Sequence, residues 1–202
     1  MLRLNHHNNS RQGGFTIVEL LVVMGLAGIM FVSFATFFTS YLNLYSSYQK
    51  DATNFSELAQ QSQRISSVIR GLTDIISEAP NDISAYAYFS PSDTYTSVVH
   101  YYLNPAKTSL MVDVTHMTAN PPNGTIISAS KKTYMVITNF YQPSGGSLFT
   151  YYDITGTLLT PPVANQHTIN SIGINLAEAG SQTKNGQQLN LSVSLRNRKT
   201  NL

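Results

Sequence analysis

Glu19 is the only charged residue between Phe15 and Phe38, a run rich in Val, Leu, Ile, Met and Phe. A carboxylate near the middle of a membrane span costs on the order of 3 kcal/mol on insertion scales, and less near its end. In hydrocarbon it therefore needs a cationic or hydrogen-bonding partner, or a proton. That makes Glu19 the first candidate for chemistry in the chain. As a helix, residues 15–38 extend about 36 Å at 1.5 Å per residue, enough to cross a ~30 Å hydrocarbon core. Arg3 and Arg11, with no acid beside them, mark residues 1–14 as cytoplasmic. Tyr41, Tyr45 and Tyr48 recur on one helical face just past the apolar run, where interfacial aromatics sit.

The sequence Gly14-Phe15-Thr-Ile-Val-Glu19-Leu, with a short basic segment before it and an apolar run after it, resembles the processing site and anchor helix of the type IV pilin family. The resemblance implies cleavage after Gly14 by a prepilin peptidase and N-methylation of the new terminus at Phe15. It also implies an assembly contact at Glu19, with the N-terminal amine of a neighbouring subunit. Pairing within the same chain, or protonation, remain alternatives for that carboxylate. Gly28 falls where the family usually has glycine, whereas Thr36 stands where major pilins carry a helix proline. Two other readings of the segment stay open. One is a secretory signal cut near Ser33-Phe34-Ala35; the other is a plain membrane anchor.

Past the membrane, Tyr45, Tyr48, Ala52, Phe55, Ala59, Ile65, Ile69, Leu72 and Ile76 continue an apolar stripe at steps of mostly three and four, with Ser62 as a polar interruption. The pattern predicts helix to about Glu78. Thr53 and Gly71 are weak points, and Pro80 with Asn81-Asp82 makes a stop and turn. The half from Ile65 to Ile76 is expected to pack on the chain's own sheet. The half from Tyr41 to Phe55 has no evident cover within the chain.

From Ser84 onward, short alternating runs read as strands at 85–89, 95–103, 109–115, 133–141, 148–154, 169–176 and 189–195. Breaks fall at Asn104-Pro105, Pro121-Pro122-Asn123-Gly124, Ser144-Gly145-Gly146, Pro161-Pro162 and residues 180–186. The expected fold is α+β and pilin-like, a long N-terminal helix packed on an antiparallel β-sheet head. Its expected divisions are a leader at 1–14, a helix at 15–80 with the membrane span at 15–38, and an extracytoplasmic head at 81–202.

The 202 residues carry a net charge of +2, and charged residues make up 11% of them. This argues against a strongly acidic or basic partner surface as the main theme. With no cysteine, disulfides and thiolate metal sites are excluded. His100, His116 and His167 are scattered without metal-ligand spacing, and His6 and His7 lie in the leader. Asp74 and Glu78 would share a helical face, a solvated one rather than an acid–base pair. No catalytic residue, metal site or cofactor is expected, and the chain does not read as an enzyme. Arg196, Arg198 and Lys199, with Lys131-Lys132, are the small basic clusters. Nucleic acid is not the expected partner.

Phe149-Thr-Tyr-Tyr-Asp153, residues 169–176 and residues 189–198 look like parts of the head of minor pilin W and pseudopilin J subunits, less specifically than the N-terminus. The resemblance implies a low-abundance pilus subunit of the cytoplasmic (inner) membrane that primes assembly or sits at the tip. Its implied partners are the prepilin peptidase, other pilin or pseudopilin subunits and the inner-membrane assembly platform. Alternatives are a J-type pseudopilin of type II secretion, and an adhesin or DNA-uptake subunit.

Overall fold

The computed structural model describes residues 14–142, 146–178 and 187–196. The chain divides into two compact units, Met1–Ser46 and Ser47–Leu202. Helix α1, Ile17–Arg70, begins in the first unit and ends in the second.

In the first unit α1 is apolar on all sides, and its large side chains are exposed. Ser33, Thr36 and Thr39 would each leave a hydroxyl unsatisfied in an apolar setting. Each instead donates to a carbonyl one turn back: Ser33 to Ile29 O at 2.9 Å, Thr36 to Val32 O at 3.1 Å and Thr39 to Ala35 O at 3.0 Å. The helix passes through Thr36 without interruption.

In the second unit α1 buries Leu58, Ser62, Ile65, Val68 and Ile69, a single face at helical spacing. Ser62 belongs to that face because its hydroxyl donates to Ala59 O at 2.6 Å, which lowers the cost of burial. The distal part of the seam thus packs within the chain, as the stripe predicts. Phe55, by contrast, stays 45% exposed.

The expected helix at 15–80 is shorter than predicted. It ends at Arg70, and the first strand, β1 (Asp74–Ala79), takes the residues beyond. Glycine is a poor helix former, and at Gly71 the backbone closes with bonds from its N–H to Ser67 O and Val68 O. Thr73 N–H then donates to Tyr86 O at 2.8 Å, so sheet pairing replaces the helical ladder.

The first sheet contains β1, β2 (Asp82–Ala87), β3 (Ser97–Leu103), β4 (Leu110–His116) and β5 (Lys132–Ile137), all antiparallel and in that order. Pro80-Asn81 turns β1 into β2, so the stop signal closes a hairpin rather than ending a helix. The second sheet runs β7-β6-β8-β9, from β6 (Phe149–Tyr152), β7 (Leu158–Leu159), β8 (Ser171–Glu178) and β9 (Gln187–Ser194). Two sheets therefore stand where one was expected. β1 and β7 were not among the predicted strands.

One core joins α1 to both sheets. It contains Leu58, Ile65 and Ile69 from the helix, Ile83, Val99 and Val112 from the first sheet, and Phe149, Ile172 and Leu176 from the second. Each such side chain contributes roughly 1.5–3 kcal/mol of burial. The β1–β2 turn is where the second sheet docks. Phe149 N–H donates to Pro80 O at 2.8 Å and Leu148 N–H to Asn81 Oδ1 at 3.1 Å. The buried Tyr151 hydroxyl donates to Ala79 O at 2.9 Å and approaches Asp82 O at 3.3 Å. Burial pushes that phenol far above its usual pKa, so it stays a donor.

Candidate processing and assembly site

Thr16 caps the start of α1. Its Oγ1 accepts from Glu19 N–H at 3.2 Å, and its carbonyl accepts from Leu20 N–H at 3.1 Å. Phe15 therefore lies just before the helix, 74% exposed, with Gly14 exposed beside it. Glu19 sits in the first turn, where the helix dipole favours a negative charge. Its carboxylate has no hydrogen-bond or ion-pair partner among the described residues. The three residues singled out in the sequence thus lie within about one helical turn, all accessible. The rest of the basic leader lies outside the described residues.

The glycines of this segment have no explanation within the chain. An added Cβ at Gly14, Gly25 or Gly28 meets nothing within 4 Å. Ile17–Arg70 is long and apolar enough to cross a membrane by length and composition, with mean hydropathy 2.4 in its most apolar window, and none of that window is buried.

The three described histidines of the head lie apart from one another. His100 Nε2 lies 2.6 Å from Asp82 Oδ2 and stacks on Tyr102. His116 Nδ1 meets Ser97 Oγ at 3.1 Å, and His167 Nδ1 is 4.0 Å from Asp74 Oδ1. The three histidines thus serve three separate contacts. Among the described residues no group of three or more His, Cys, Asp or Glu is placed to hold a metal ion.

Asp74 and Glu78 do not share a helical face, because both lie on β1, on either side of a register shift between Ile75 and Ser77. The Glu78 carboxylate is buried, and it accepts from Val163 N–H at 2.8 Å and from Gln166 Nε2 at 2.7 Å. It ties β1 to the chain before β8. Nothing in the local sequence marks this role, because both partners are more than eighty residues away.

Lys131 is held by Asp113, Nζ to Oδ2 at 2.8 Å, while Thr133 donates to Asp113 Oδ1 at 2.6 Å. Of the expected basic clusters, Arg196 is exposed, and Arg198 and Lys199 lie outside the described residues.

Residues 9–35 match the prokaryotic N-terminal methylation motif. The match covers Gly14, Phe15 and Glu19 and stops before the head. It supports a type IV pilin-like subunit. No curated protein matches the chain.

Proposed function

We propose that the chain is a low-abundance, type IV pilin-like subunit, a structural component rather than a catalyst. Prepilin peptidase cuts after Gly14, and the new amine at Phe15 is methylated. The segment 15–38 then holds the subunit in the cytoplasmic membrane, with residues before it inside and the head outside. From there the assembly platform draws it into a pilus-like filament, in priming or at the tip. The observation that carries this reading is the methylation motif at residues 9–35, around a carboxylate that has no partner among the described residues and is the only charge in the run 15–38.

The chemistry of Glu19 follows from that placement. Cleavage creates a cation about one turn from the carboxylate. Two separate charges in hydrocarbon cost more than one neutralised pair. A subunit entering in the right register supplies that neutralisation from its own terminus, so the pair rewards correct insertion.

The test is mass spectrometry of the mature protein, expected to find an N-methylated terminus at Phe15. A terminus at Met1 or after Ala35 would overturn the reading. Glu19→Ala should leave the membrane fraction unchanged and sharply reduce the amount recovered in sheared filaments. Equal recovery would show that the carboxylate is not the assembly contact.

A further inference from the structure

We propose that a pocket of the head receives a lysine or arginine side chain of a neighbouring subunit. The pocket, about 310 Å³, lies between α1, which contributes Glu57, Gln60 and Gln61, and the end of β5 with Thr138 beyond it, and Glu178 of β8 also lines it. Glu178 is 6% exposed, and no hydrogen bond or ion pair reaches its carboxylate among the described residues. A buried carboxylate left so is costly, because the protein interior replaces its water shell with nothing. Burial, and then the nearby Glu57, push its pKa above the usual glutamate range.

A cation in the pocket removes both penalties at once. Two cations among the described residues are engaged elsewhere: the Arg64 guanidinium lies 4.8 Å from the centroid of the Phe89 ring, and Lys131 pairs with Asp113. The donor set favours a side-chain cation over a metal ion. Two carboxylates match a planar guanidinium or an ammonium, and among the described residues no group of three or more His, Cys, Asp or Glu is placed to hold a metal ion. That the partner is a subunit of the same filament rests on the proposed function; the cation specificity does not.

The side-chain carboxyl of Glu178 can be titrated by carbon-13 NMR on the full chain in detergent micelles, with Glu178→Gln assigning the resonance. In potassium chloride the midpoint should lie above the usual glutamate range. In butylguanidinium chloride of equal ionic strength it should fall by about one pH unit, a tenfold change in proton affinity. An identical midpoint in the two salts, or a larger fall with calcium, overturns the proposal.

Glu178→Gln and Glu178→Lys should then both reach the membrane and be lost from sheared filaments, Glu178→Lys more completely. Normal recovery of Glu178→Lys overturns the neighbouring subunit as the occupant. The titration reads the pocket whether or not the chain enters a filament, so its outcome separates from that of the N-terminal test.

Discussion

Glu78→Ala should destabilise the head by about 3 kcal/mol while leaving the membrane anchor untouched. The carboxylate accepts two hydrogen bonds, and bonds to a charged acceptor contribute roughly 1.5–3 kcal/mol each. Val163 and Gln166 are half-buried, so water reaches both donors once the carboxylate is gone. Each loss therefore falls near the lower end of that range. For a unit of this size, 1 kcal/mol shifts the melting temperature by roughly 2–4 °C, so Glu78→Ala should melt about 6–12 °C early. Glu78→Gln keeps the stem and one acceptor. Gln166 can turn its own amide to face the new NH₂ group, so this variant should lose only about 1 kcal/mol. Near-ultraviolet circular dichroism of the full chain in detergent, which follows the head tyrosines, reads both. A melting point for Glu78→Ala within about 2 °C of the parent would refute the reasoning. So would a loss for Glu78→Gln equal to that for Glu78→Ala, since the effect would then not follow the number of acceptors.

Gly173 faces Thr150 across the β6–β8 ladder, and a Cβ at that position would lie 2.2 Å from Thr150 Oγ1. Gly173→Ala should therefore cost about 1–3 kcal/mol by overpacking, and adding Thr150→Ala should recover part of it in urea unfolding. For Asp113, burial would raise the carboxyl, but the hydrogen bonds from Lys131 and Thr133, the Lys131 charge and the Tyr102 hydroxyl together hold it below the ordinary aspartate value. The unfolded chain then binds the proton more readily, so this stabilisation is complete at neutral pH. It drains away as pH falls through the ordinary aspartate range toward the native value. Asp113→Asn should flatten the decline of the urea midpoint over that acidic window; an unchanged slope would show that the cluster contributes nothing.

The N-terminal methylation motif was legible because its signal is local: residue types, spacing and the apolar run all fall in or next to residues 9–35. The strands with one wet face were legible for the same reason. In β9, Val193 is buried between exposed serines, with Leu189 and Leu191 half-buried against the core. β1 hid itself. Its register shift between Ile75 and Ser77 interrupts the two-residue alternation, so that Ile75 is buried and Ile76 is 40% exposed. Leu72 and Ile76 four residues apart then read as the next turn of α1. Sequence periodicity could not separate a bulged strand from a helix there, because both place apolar residues at irregular short steps.

The same limit explains why the head's two buried glutamates were missed, and why they differ. Glu78 and Glu178 are both nearly inaccessible, but Glu78 finds donors in the segment before β8, while Glu178 finds none among the described residues. A carboxylate that is buried and satisfied has its explanation inside the fold. One that is buried and unsatisfied imposes a cost that folding alone does not recover. Glu19 poses the same problem in the anchor, an acid with no described partner in a helix suited to hydrocarbon. On the readings proposed above, the two acids without a partner among the described residues take the same remedy, a cation from a neighbour: the new terminus at Glu19, and a side chain in the head at Glu178. A subunit that meets its neighbours through both would be stable alone only at a cost, and assembly would remove that cost.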